Sequence, residues 1–323
     1  IAFVGSIALL AYVGVTYGFT IPSGLGPTAT GQLTDVTNPE SGAMINLATI
    51  TALAFGNLVA LDFNERLYSA KSPRTAQLAC FGAAAGTLII GIPFSIVALG
   101  AGDILAQAGV QAGDTPVLYA LIDDVLPLSL GIVVLVGIIG ASLSTGDGAT
   151  LATSSVIARN ILGIKPSEDT ENVDVKQDQL LLATRAVAVG IATFGALFAI
   201  RLPETGLLLV LAFDISLAGI AVPFILGLYW AKANRPAALA AIATGALTRL
   251  GFFVFMPTTY GLPNDLLYIP NEVFTAAFDG FPTFISPLAA LTVFVVVALA
   301  TQDEATADQT APASRPTAFM NDD

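Results

Sequence analysis

One polar run interrupts a long apolar stretch between residues 126 and 158: Ala141-Ser142-Leu143-Ser144-Thr145-Gly146-Asp147-Gly148. A charged side chain at the centre of a bilayer costs about 3 kcal/mol on insertion scales, so a chain that keeps one there uses it to line a pathway or to hold an ion. At about 100° per residue, Ala141, Ser144, Thr145 and Gly148 share one face of a helix, while Asp147 lies about 60° to the other side of Ser144. Hydroxyl oxygens and carbonyls are hard ligands that suit a small hard cation. The wheel permits two adjacent cation sites that share Ser144, and not one site that uses Ser144, Thr145 and Asp147 together. The competing reading is that Ser and Thr bond back to carbonyls one turn earlier and that the small residues allow close helix packing.

Two further groups carry polar residues inside apolar segments. Gly56-Asn57 falls in mid-span, where it would loosen a helix and free carbonyls, and interrupted helices are where transporters hold their substrates. The alternative is a glycine kink with Asn57 bonded to a neighbouring helix. The charged run Asp62 to Arg74 reads as a cytoplasmic helix end with its loop, and an inner gate is the functional alternative. Asp214, in Asp214-Ile215-Ser216, is a second intramembrane acid. It is a candidate substrate ligand, or else the partner of an interior arginine such as Arg249 or of a backbone donor.

The elements that would position these residues follow from composition. Of 323 residues 55% are hydrophobic and only 11% charged, with a mean hydropathy of +0.79. A soluble domain carries about twice that charge. Eight apolar spans are expected, at 1–18, 44–64, 75–101, 126–158, 180–200, 205–230, 236–256 and 282–301, each near or above the ~20 residues a crossing helix needs. Helices follow because a backbone in lipid must satisfy its own hydrogen bonds. If the first span runs outward, ten of the twelve Lys and Arg residues fall on the cytoplasmic side, the exceptions being Arg201 and Arg249. Both ends of the chain are then cytoplasmic. Residues 302–323 read as a disordered acidic tail.

Composition also excludes functions. The chain has no histidine, which removes imidazole ligands and His proton relays, and its single cysteine, Cys80, rules out an internal disulfide. A net charge of −12 leaves no basic stripe for nucleic acid. Four lysines against eight arginines in an acidic chain fit a protein of a high-salt environment. The sequence opens at Ile1 inside an apolar run, so an N-terminal part is expected to lie outside it.

Three segments, in order, resemble the sodium/solute symporter family. Arg66-Leu67-Tyr68-Ser69-Ala70-Lys71-Ser72 is similar to the end of the family's sixth core helix. Ala141 to Asp147, continuing to Arg159-Asn160, is similar to its eighth. Gly219 to Lys232, with Gly227-Leu228-Tyr229-Trp230, is similar to the end of its tenth. The resemblance implies an all-α polytopic bundle over residues 1–301, part of a five-plus-five inverted-repeat transporter fold of the leucine-transporter type. It implies Na+ as coupling ion, held by Ala141, Ser144 and Thr145. Asp147 matches a ligand of the second sodium that some members bind, but as an acid it departs from their hydroxyl, leaving sodium binding, proton carriage or a simple difference as its readings. It places Gly56 and Asn57 in the substrate-facing break. It also places the first to fourth core helices and the start of the fifth before Ile1, so that the intact parent is expected to be the transporting form.

The reading that follows is a sodium-coupled symporter of a small organic solute, not an enzyme, embedded in the cell membrane with no obligatory protein partner. A membrane sensor using the same fold without transport is the alternative. An intramembrane enzyme using Asp147 and Asp214 as a carboxylate pair would need the two side chains to meet.

Overall fold

The computed structural model describes residues 1–18, 35–38, 41–111, 115–164, 179–201, 205–264 and 267–302. The helices are α1 (Ala2–Thr16), α2 (Ala43–Thr51), α3 (Leu61–Tyr68), α4 (Pro73–Gln107), α5 (Val117–Ala120), α6 (Leu128–Val156), α7 (Gln179–Arg201), α8 (Thr205–Ser216), α9 (Val222–Tyr229), α10 (Arg235–Phe255) and α11 (Pro282–Ala300). One antiparallel hairpin, β1 (Thr258–Thr259) with β2 (Leu262–Pro263), departs from an otherwise helical chain. The protein is thus all-α, as its apolar runs require.

Seven helices among the described residues are long and apolar enough to cross a membrane: Ala43–Tyr68, Pro73–Gln107, Leu128–Ile161, Gln179–Ile200, Gly206–Tyr229, Arg235–Phe255 and Pro282–Ala300. The eighth expected span, at 1–18, forms the apolar helix Ala2–Thr16. Its 15 residues rise only ~22 Å, short of the ~30 Å of hydrocarbon. The segment 165–178 and the acidic tail beyond Gln302 lie outside the described residues.

Helix starts follow local chemistry. The hydroxyl of Ser72 accepts the amide of Thr75 at 3.2 Å ahead of Pro73, and Asn234 accepts the amide of Ala237 at 3.0 Å ahead of Pro236. Both are side-chain caps followed by a proline in the first turn, where its missing N–H costs nothing. Four helices carry or adjoin a π-helical turn: Ala52–Gly56 after α2, Leu121–Val125 after α5, Ile157–Ile161 after α6 and Leu217–Ala221 between α8 and α9. Such turns mark functional sites in many helices.

The chain divides into two compact units, Ile1–Gln32 with Leu61–Leu202, and Leu33–Ala60 with Pro203–Asp323. In the first, α1 packs on α4 and α6 around Leu9, Val13, Val97, Ile104, Leu121 and Val134. In the second, α10 and α11 meet along small residues, with Ala237 and Ala241 against Ala290, Phe294 and Ala298. Small side chains let two membrane helices approach until backbones touch. At Gly245 a Cβ would stand 1.8 Å from the Ala218 carbonyl oxygen, and at Gly56 one would stand 2.0 Å from that of Phe213.

Both close approaches are to backbone, which has no rotamer to yield. Gly56→Ala is expected to destabilise the protein by about 1–3 kcal/mol. Gly190→Ala, in mid-helix at a position where nothing lies within 4 Å, should not destabilise and should gain up to about 1 kcal/mol from helix propensity. Denaturant unfolding in detergent compares the two.

Candidate functional site

Ala141, Ser144, Thr145 and Asp147 all lie on α6, in the first unit, at a stretch exposed along its length from 141 to 147. The helix runs through them without a break. The hydroxyl of Thr145 donates to the Ala141 carbonyl at 3.1 Å. Two members of the hydroxyl face are therefore bonded to each other, which is the back-bonding left open by the sequence. The bond uses the hydroxyl proton and leaves the oxygen lone pairs of Thr145 available. Asp147 has no hydrogen bond or ion pair among the described residues. Nor do those residues include a group of three or more His, Cys, Asp or Glu side chains able to hold a metal. The ligands on offer are hydroxyls, carbonyls and one carboxylate, an oxygen set suited to a hard cation.

One turn further along, α3 docks on the same helix. The Arg66 guanidinium lies 2.8 Å from where a Cβ on Gly148 would stand, and Ser155 donates to Glu65 Oε1 at 3.3 Å. Glycine at 148 is what admits the arginine. The charged run that reads as a helix end with its loop in the sequence thus places its first turns against α6.

The remaining candidates belong to the second unit. Gly56 closes the π-helical turn Ala52–Gly56, and the helix then lapses at Val59-Ala60 before α3 begins. The lapse falls just beyond Gly56-Asn57, which are themselves helical, and their carbonyls accept the amides of Val59 at 3.3 Å and Ala60 at 3.1 Å rather than being freed. Gly56 is buried against Phe213, whereas Asn57 is exposed and its side chain makes no hydrogen bond among the described residues. The next residue after Phe213 is Asp214, so the break and the second intramembrane acid are neighbours through one backbone contact.

Asp214 is fully buried and forms an ion pair with Arg249 of α10, donated through Nε. This is the interior pairing that the sequence offers as an alternative to a substrate contact. The same oxygen, Oδ2, also accepts the hydroxyls of Tyr260 at 2.6 Å and Thr283 at 3.1 Å. These two hydroxyls lie 2.9 Å apart, and the guanidinium of Arg249 stands 6.0 Å from the Tyr260 ring centroid. Oδ1 has no protein partner among the described residues. Beside the cluster, Arg249, Thr258, Tyr260, Asp279 and Thr283 border a cavity of about 10 Å³, room for one water.

Tyr260 reaches this cluster from the hairpin. Its φ is 55° and that of Gly261 is 80°, both positive, as a two-residue type I′ loop requires. Asp279 holds the loop by accepting the amides of Tyr260 at 2.9 Å and Gly261 at 2.8 Å. Burial, the charge of Asp214 and the hydrogen bond donated to it raise the Tyr260 hydroxyl far above the usual phenol range, so it stays a donor. Reading the sequence for membrane spans passes over Tyr260, Asp279 and Thr283. The available signal is Thr258-Thr259 followed by a residue–glycine pair, a hairpin pattern.

Comparison with known families finds one match: the model of the sodium:solute symporter family aligns with residues 10–245, well over half of the chain. No curated protein matches it.

The buried pair makes a test. Arg249→Met leaves Asp214 as a buried charge without its cation and should cost about 3–5 kcal/mol. Asp214→Leu combined with Arg249→Met should recover most of that loss, read by denaturant unfolding of the solubilised protein.

Proposed function

The chain belongs to the sodium:solute symporter family, and from that premise we propose that it carries a small organic solute across the cell membrane together with Na+ by alternating access. As a member it is a multi-pass membrane transporter and not an enzyme. The finer reading is a five-plus-five inverted-repeat arrangement with both chain ends cytoplasmic. The cation would be held by the Ala141 carbonyl and the hydroxyls of Ser144 and Thr145, with Asp147 as ligand of a second, adjacent cation. The solute would be held at the break beside Gly56 and Asn57. Asp214, given to the solute by the sequence reading, acts from behind the break, because its charge is committed to Arg249.

The observation that carries this reading is the coincidence of the hydroxyl face of α6 with a family whose coupling ion is sodium. Coupling requires that sodium favour the state that binds solute. The free energy is reciprocal, so each ligand then raises the affinity for the other.

In the full-length protein reconstituted in vesicles, a panel of radiolabelled amino acids and carboxylates should yield a solute whose uptake needs an inward sodium gradient. Ser144→Ala with Thr145→Ala should raise the sodium concentration for half-maximal uptake at least about tenfold, equivalent to ~1.4 kcal/mol of lost binding. Sodium dependence unchanged by both substitutions would remove the α6 face from the sodium site.

A further inference from the structure

We propose that Tyr260 and Thr283 are positioning residues: from the hairpin and the head of α11 they fix the Asp214 carboxylate, and with it the turn of α8 that packs on Gly56 at the helix break. Three donors from three different elements, α10, the hairpin and α11, converge on the one oxygen Oδ2. Donors arriving from three directions locate an atom more sharply than any one of them could. Asp214 is one peptide from Phe213, whose carbonyl oxygen and carbon lie 2.0 and 2.6 Å from the place a Gly56 Cβ would take. One and two turns on, Leu217 and Ala221 pack on Val59, at the lapse itself. A rotation of α8 that moves Asp214 therefore moves the wall of the break.

The choice of residue at 260 argues for a use of the hydroxyl. Asn, Asp or Gly suits the first position of a type I′ loop, yet the chain places tyrosine there, the one non-glycine residue with positive φ among those described. A loop needed only to join β1 to β2 gains nothing from that ring. Its hydroxyl, by contrast, reaches Asp214 at 2.6 Å, and Asp279 holds the loop amides so that it can. The relevance of the break to transport rests on the reading of Gly56 and Asn57 as the solute site. The positioning itself does not, and it can be measured without a solute.

With Cys80, the chain's single cysteine, replaced by alanine, Val59→Cys supplies one reporter at a position only 7% exposed. The full-length protein in vesicles is treated with N-ethylmaleimide and the rate of modification measured. Tyr260→Phe, which keeps the ring and removes the hydroxyl, should raise the rate at residue 59 at least about fivefold. Thr283→Val should do the same, and Thr283→Ser should restore the parent rate. Native Cys80, in the other compact unit, reports general loosening when residue 59 is left as valine, and its rate should not move. An unchanged rate at residue 59, or an equal rise at Cys80, would overturn the proposal. Ala221→Cys, on the opposite side of the same contact and 3% exposed, replaces Val59→Cys where that variant does not fold. A failed uptake screen would count against the solute site and leave this result intact.

Discussion

The second compact unit is organised by a single ion pair in a place where neither charge could stay alone. Asp214 and Arg249 each lie in a membrane-length helix and each is buried. Unpaired, either costs about 3 kcal/mol on insertion scales, and buried pairs repay their desolvation only when further hydrogen bonds complete them. Tyr260 and Thr283 supply those bonds. The pair therefore dictates that α8 and α10 sit side by side, that α11 begins with a hydroxyl in reach, and that the hairpin folds back over all three.

Such an arrangement is possible only because the helices can come close. Arg249 extends a buried stripe on α10 that begins Ala237, Ala241 and Gly245, at intervals of four. Successive residues at that interval stay on one face. Glycine at 245 lets the Ala218 carbonyl approach, and alanine at 290 completes the third side. Small residues and the buried charge are thus two parts of one solution: the first bring the backbones together, and the second makes their registration specific. A slide of α10 by one turn would separate the arginine from its acid.

Much of this was legible in the sequence, and the limits have physical reasons. Apolar runs announce their helices because lipid permits little else. Even so, the span at 1–18 shortens to Ala2–Thr16, since hydropathy does not mark where backbone hydrogen bonds stop. The cost of a buried charge singled out Asp214 and named Arg249 as a possible partner. The hairpin lies beyond that logic, because Tyr260 and Thr283 are ordinary residues until folding brings them 2.9 Å apart. The hydroxyl face of α6 was visible from spacing alone, but spacing cannot say whether a hydroxyl turns inward to its own helix, as Thr145 does.

The two intramembrane acids now separate by what remains uncommitted on each. Asp214 has one oxygen bonded by three donors, a paired cation and no exposure. A second cation there would have to compete with a fixed guanidinium. Asp147 is exposed on α6 and has no hydrogen bond or ion pair among the described residues. An acid whose charge is already compensated gains little from a mobile ion, whereas an uncompensated one has its full charge to offer. The same insertion cost makes both residues conspicuous in the sequence, yet their surroundings differ: Asp214 is committed to the packing of the second unit, while the charge of Asp147 has no protein partner among the described residues.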